Sequence, residues 1–145
     1  MSDIRFEEAL SFVLRWEGYK SENFVEYDPG GRTIFGISHR YYPNEVEAMW
    51  QMSREDALKV ASKIYRRDYW DAVGGDVLPP ETALVAFDSA VNCGPGEVNR
   101  WMRESSNPVD LLFMRMTYYA KLKHFDRFGR GWINRVCSLY KEISR

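Results

Sequence analysis

Glu17 is the side chain around which chemistry can be built. It lies eleven residues after Phe6, and at about 100° per helical residue eleven steps return to within about 20° of the same face. The acid therefore points along the apolar stripe of Phe6, Leu10 and Val13. It also sits in the last turn before Gly18, where the helix dipole is negative and disfavours a carboxylate. Partial burial and the dipole both predict a raised pKa, which suits a carboxylic acid that keeps a proton near neutral pH and delivers it to a leaving oxygen. The alternative is an ion pair with Arg15, Arg32 or Arg40.

Downstream, Asp28 stands before Pro29-Gly30-Gly31 and Thr33 follows two residues after that turn. If the helix end and this segment face each other, they supply the division of labour that glycoside hydrolysis requires. A proton donor stands on one side, and a carboxylate or positioned water meets the cationic sugar transition state on the other. Asp28 is equally at home as a simple turn residue. Tyr27 and Phe35 can pack on sugar faces or in a core, and Asn92 can hydrogen-bond an acetamido group or cap a helix.

These residues need elements to hold them. Phe6, Ala9, Leu10, Val13 and Leu14 follow the helical template and predict a first helix ending near Gly18. Two β-prone runs, Phe24-Val25-Glu26-Tyr27 and Arg32 to Ile37, flank the Pro-Gly turn and predict a small hairpin. Ser53 with Asp56 resembles a capping box that opens a helix through Ala57, Val60, Ala61 and Ile64. After Pro79-Pro80, the run from Ala83 to Val91 is apolar almost all round and predicts a buried central helix, broken by Asn92-Cys93-Gly94-Pro95-Gly96. Asn107 and Pro108 should start a helix with the stripe Leu111, Met114, Tyr118, Leu122 and Phe125. Gly129-Arg130-Gly131 should open a last helix with Trp132, Val136, Leu139 and Ile143 inward.

With 145 residues, 45% hydrophobic and 28% charged, the chain has the size and composition of one globular domain. We expect a mainly α, α+β architecture: a single domain over 1–145, with the first helix and β wing in 1–78 and the central and C-terminal helices in 79–145. A formal charge of -1 argues against a bulk nucleic-acid binder. Charge is uneven all the same, with 10 basic and 4 acidic residues from position 100 onward. Cys93 and Cys137 are too few for a disulfide scaffold and read as buried free thiols, with a single bridge as the alternative. His39 and His124 have no partners at metal-ligand spacing, so no metal is expected. No apolar run approaches about 18 residues, which excludes a membrane span. No targeting signal is visible.

Trp16-Glu17-Gly18-Tyr19, then Asp28-Pro29-Gly30-Gly31-Arg32-Thr33 and Phe35-Gly36-Ile37-Ser38, together resemble the N-terminal signature of glycoside hydrolase family 108, the phage and bacterial N-acetylmuramidases. Phe87-Asp88-Ser89-Ala90-Val91-Asn92-Cys93-Gly94-Pro95-Gly96 and Gly131-Trp132-Ile133-Asn134-Arg135-Val136 look like the part that accompanies it. The resemblance implies a lysozyme-like helical domain with a β-hairpin wing. It implies catalysis by Glu17 as acid with Asp28 and Thr33, and glycan contacts from Tyr27, Phe35 and Asn92 in a cleft formed by the first helix, the wing and the central helix. No cofactor is implied. The partner would be peptidoglycan, cleaved by a monomer made in a bacterial cytoplasm and brought to the wall through a holin-type pore or by another delivery machine. The rivals are an inactive wall-binding or secretion-partner module and, more remotely, a small DNA binder.

Overall fold

Apolar residues at helical spacing bury one side of the first element, α1 (Ser2–Glu17), with Phe12 at 2% and Val13 at 0% exposure. The computed structural model describes residues 2–22 and 31–145, with side chains from Arg5 onward. The helix stops at Gly18, whose N–H returns to the Leu14 carbonyl at 3.1 Å.

Three short strands follow: β1 (Lys20–Glu22), β2 (Arg32–Ile34) and β3 (Ile37–Ser38), an antiparallel sheet in the order β1-β2-β3. Lys20 pairs with Ile34, Ser21 with Thr33 and Glu22 with Arg32, while Ile34 also faces Ile37. The Phe24 to Tyr27 run expected as one strand of the hairpin lies outside the described residues, and among these β2 pairs with Lys20–Glu22. One expectation is corrected: the run from Arg32 to Ile37 is two strands, because Phe35 (φ 51) and Gly36 (φ 80) both turn left-handed. Two residues at positive φ make the tight turn whose twist suits a two-residue hairpin.

The helices are α2 (Pro43–Trp50), α3 (Arg54–Tyr65), α4 (Pro80–Cys93), α5 (Pro95–Met102), α6 (Pro108–Ala120) and α7 (Phe125–Ile143). Four of them open on proline, whose missing N–H costs nothing in the first turn. Ser53 accepts from the Asp56 N–H at 3.1 Å, and Asn107 accepts from those of Val109 and Asp110, so both expected caps are present. A π-helical turn, Arg66–Trp70, extends α3. The chain divides into two compact units, one of residues Glu7–Asp68 and one of residues up to Phe6 with Tyr69–Arg145.

In the first unit Val46, Met49, Ala57, Ala61 and Ile34 are fully buried. In the second, α4 is the buried helix the sequence predicts, with Ala83, Val85, Ala86, Phe87 and Ala90 at 0% exposure. Phe6, Trp70 and Phe87 meet there with ring centroids 5.5 to 5.7 Å apart.

Two C-terminal expectations change. The buried face of α6 is Leu111, Leu112, Arg115 and Tyr119, while Met114 and Tyr118 are only half-buried. The face is turned because Arg115 goes inward to a buried acid on α4. Helix α7 begins at Phe125 and runs through both glycines. The aromatic ring of Phe125 fills the space where a Gly129 Cβ would stand, 2.7 Å away. Trp132 and Ile143 are half-buried, and Val136 and Leu139 are buried as expected.

Candidate active site

Glu17 ends α1 half-buried. A Cβ on Gly36 would lie 2.5 Å from Glu17 Oε1, 2.7 Å from its Cγ and 2.8 Å from its Cβ. The acid side chain therefore passes over the bare backbone of the β2-β3 turn, and only glycine leaves it room. The turn is pinned from two directions. Its Phe35 N–H donates to the Tyr19 carbonyl at 2.6 Å, and its Phe35 carbonyl accepts from the hydroxyl of Tyr65 on α3, itself 2% exposed. These bonds also hold Phe35 in a backbone region that a non-glycine residue rarely adopts.

Thr33 lies on β2 between Ser21 and Ser38, half-buried. Side chains alternate along a strand, so Thr33 faces away from the buried Ile34. Phe35 is 4% exposed with its ring centroid 5.0 Å from that of Tyr19. Of the two uses weighed for Phe35, a sugar face or the core, this burial agrees with the core. Asp28 and Tyr27 lie outside the described residues. Of the arginines weighed as partners for Glu17, Arg32 pairs with Glu47 at 3.4 Å and stacks over Trp50, and Arg40 lies over Tyr41. Glu47 also meets His39 Nε2 at 3.0 Å.

In the other unit, Asn92 is half-buried in the last turn of α4, and the cap is Gly94 rather than Asn92. The Asn92 side-chain oxygen accepts from the Tyr119 hydroxyl. Behind it lies a buried charge cluster. Asp88 accepts from Arg115 Nη1 at 2.8 Å and from Arg135 Nη2 at 2.7 Å, with Arg135 Nε also within reach. Burial opposes ionisation of Asp88, but the two guanidiniums outweigh it and hold its carboxyl below the usual range. The same competition, burial against Asp88, leaves Arg115 raised.

Sequence reasoning did not single out Gly36 and Tyr65 beside Glu17 in the one unit, nor Asp88, Arg115, Arg135 and Tyr119 beside Asn92 in the other. Only Asp88 left a signal, as a lone acid inside an apolar run, since a buried carboxylate must find a partner.

The mainly helical chain with its small antiparallel sheet has a lysozyme-like fold. The glycosyl hydrolase 108 family model matches residues 10–94, and this chain belongs to that family. Among solved structures it is similar to SagA of Brucella abortus, with a TM-score of 0.76 and 23% identity, covering 95% of this chain and 92% of that one. Comparison with curated protein sequences returns no match. The fold and the family together support a peptidoglycan hydrolase of the lysozyme-like type. Among the described residues no helix is long and apolar enough to cross a membrane.

Proposed function

We propose that this protein is an N-acetylmuramidase, hydrolysing the β-1,4 bond between N-acetylmuramic acid and N-acetylglucosamine in peptidoglycan. Glu17 is the general acid that protonates the glycosidic oxygen. Asp28 stabilises the oxocarbenium ion or activates water, and Thr33 holds that water. The observation that carries this reading is the seat of Glu17: a half-buried carboxyl at a helix C-terminus, laid over a glycine turn that is bonded to Tyr19, just past the end of α1, on one side and to Tyr65 of α3 on the other. A general acid must be held in one place relative to its leaving group, and such a seat restricts it.

The test is mass spectrometry of muropeptides released from purified walls. The native protein should yield fragments with reducing N-acetylmuramic acid ends. Glu17→Gln should bind walls but slow release by about 10²- to 10⁴-fold, with an unchanged far-ultraviolet circular dichroism spectrum. Fragments ending in N-acetylglucosamine would replace this activity with a glucosaminidase, and full activity in the Gln variant would remove Glu17 from the chemistry. Walls pulled down without any fragment would leave a binding module.

A further inference from the structure

Asn92 stands at the outer end of a hydrogen-bonded chain that begins in the buried charges. Arg115, held by Asp88, donates from Nε to the Tyr119 hydroxyl oxygen at 2.7 Å. With a lone pair of that oxygen so occupied, the Tyr119 hydroxyl donates to Asn92 Oδ1. The Cys93 thiol approaches the same Oδ1 at 4.0 Å. Burial pushes the Tyr119 phenol well above its ordinary value and the Cys93 thiol up to about 11, so both remain protonated donors at neutral pH. Donors that converge on one amide atom mark it as the oxygen, which leaves the nitrogen and its two N–H groups on the other side.

The chain is rigid at its inner end. Asp88 and Arg115 are fully buried, Tyr119 is 1% exposed, and its ring stacks on Trp132 at 4.9 Å and 22°. Asn92 is half-buried. Buried ion clusters are a poor route to stability, because well-packed apolar residues often serve as well. A cluster that ends in an oriented surface amide has a different use, since it decides which side of that amide meets a ligand.

We propose that Arg115 and Tyr119 are positioning residues that hold the Asn92 amide with its N–H groups turned away from Tyr119, as a donor to the carbonyl of a sugar N-acetyl group. The substrate class rests on the muramidase reading, and the arrangement of the amide does not. Asn92 then distinguishes acetylated from unacetylated β-1,4 glycans, and Tyr119 acts only through Asn92.

The experiment uses Glu17→Gln protein, so that nothing is cleaved, and isothermal titration with two uncharged β-1,4 tetramers, one of N-acetylglucosamine and one of glucose. Asn92→Ala and Tyr119→Phe should each weaken binding of the acetylated tetramer by about five- to tenfold, the loss of roughly one hydrogen bond. The double variant should lose no more than either alone, and binding of the glucose tetramer should not change. Asn92→Asp keeps the acceptor for Tyr119 and removes the N–H donors, so it should match Asn92→Ala even if Tyr119→Phe folds poorly. Multiplying losses in the double variant, equal losses for both sugars, an Asp variant that binds normally, or no binding of the acetylated tetramer would each overturn the proposal. Cleavage by the native protein is read separately from muropeptides: binding without cleavage removes the muramidase and leaves this inference standing.

Discussion

Glu17 lies over Gly36, with its Oε1 2.5 Å from the point where a Cβ would stand. The proposed acid and the turn of the sheet are therefore one unit: residue 36 must lack a side chain for residue 17 to hold its place. Tyr65 and Tyr19 fix the turn through the two backbone groups of Phe35, so the turn under the acid is held by α3 and by the segment that follows α1.

Gly36→Ala follows directly. The added methyl meets Glu17, and φ +80 is unfavourable for alanine by about 1–2 kcal/mol. We expect a lower thermal midpoint and a larger proportional loss of wall-clearing activity, because the acid is displaced while the core is untouched. An Ala variant that clears walls at the native rate would show that the seat of Glu17 does not matter to the reaction.

Asp88 governs behaviour in acid. Its folded-state carboxyl lies below the ordinary value of 3.8, so the unfolded chain binds more protons between the two values. Its stabilising contribution is complete above about pH 4–5 and declines as pH falls through the folded value. Asp88→Asn leaves two buried guanidiniums without their counter-charge and should cost about 3–5 kcal/mol. Chemical denaturation across pH checks both points, as a lower stability of the Asn variant near neutral pH and a flatter acid limb.

The two cysteines should separate on alkylation. Cys137 is exposed, whereas Cys93 is half-buried with its thiol held up at about 11 chiefly by burial. Iodoacetamide at pH 8 in native buffer should modify Cys137 first and Cys93 only slowly, with both reacting in denaturant. Peptide mass spectrometry over time reads this, and equal native rates would contradict the burial of Cys93.

The helices were legible in the chain because their signals are local. Apolar spacing marks α1 and α4, Ser53 and Asn107 cap α3 and α6, and the same periodicity puts Glu17 on the inward side of α1 at its end. Strand β1 was not legible, since Lys20-Ser21-Glu22 is exposed throughout and carries no apolar alternation. Its existence depends on a partner strand ten residues further on. The inward face of α6 was misplaced for a related reason, because apolar counting sets aside an arginine that Asp88 draws inside.

By itself, then, the sequence determined the helical framework, the family signature and the place of Glu17, the proposed acid, at the end of α1, all of which rest on local patterns of the chain. Tertiary structure alone decided that Gly36 makes room for Glu17, that Phe35 packs inward, and that Asp88, Arg115 and Tyr119 line up behind Asn92. Gly36 and Glu17 are nineteen positions apart, and Asp88–Arg115 and Asn92–Tyr119 twenty-seven each, and no local pattern encodes such contacts. Shape and charge find each other only once the chain has closed.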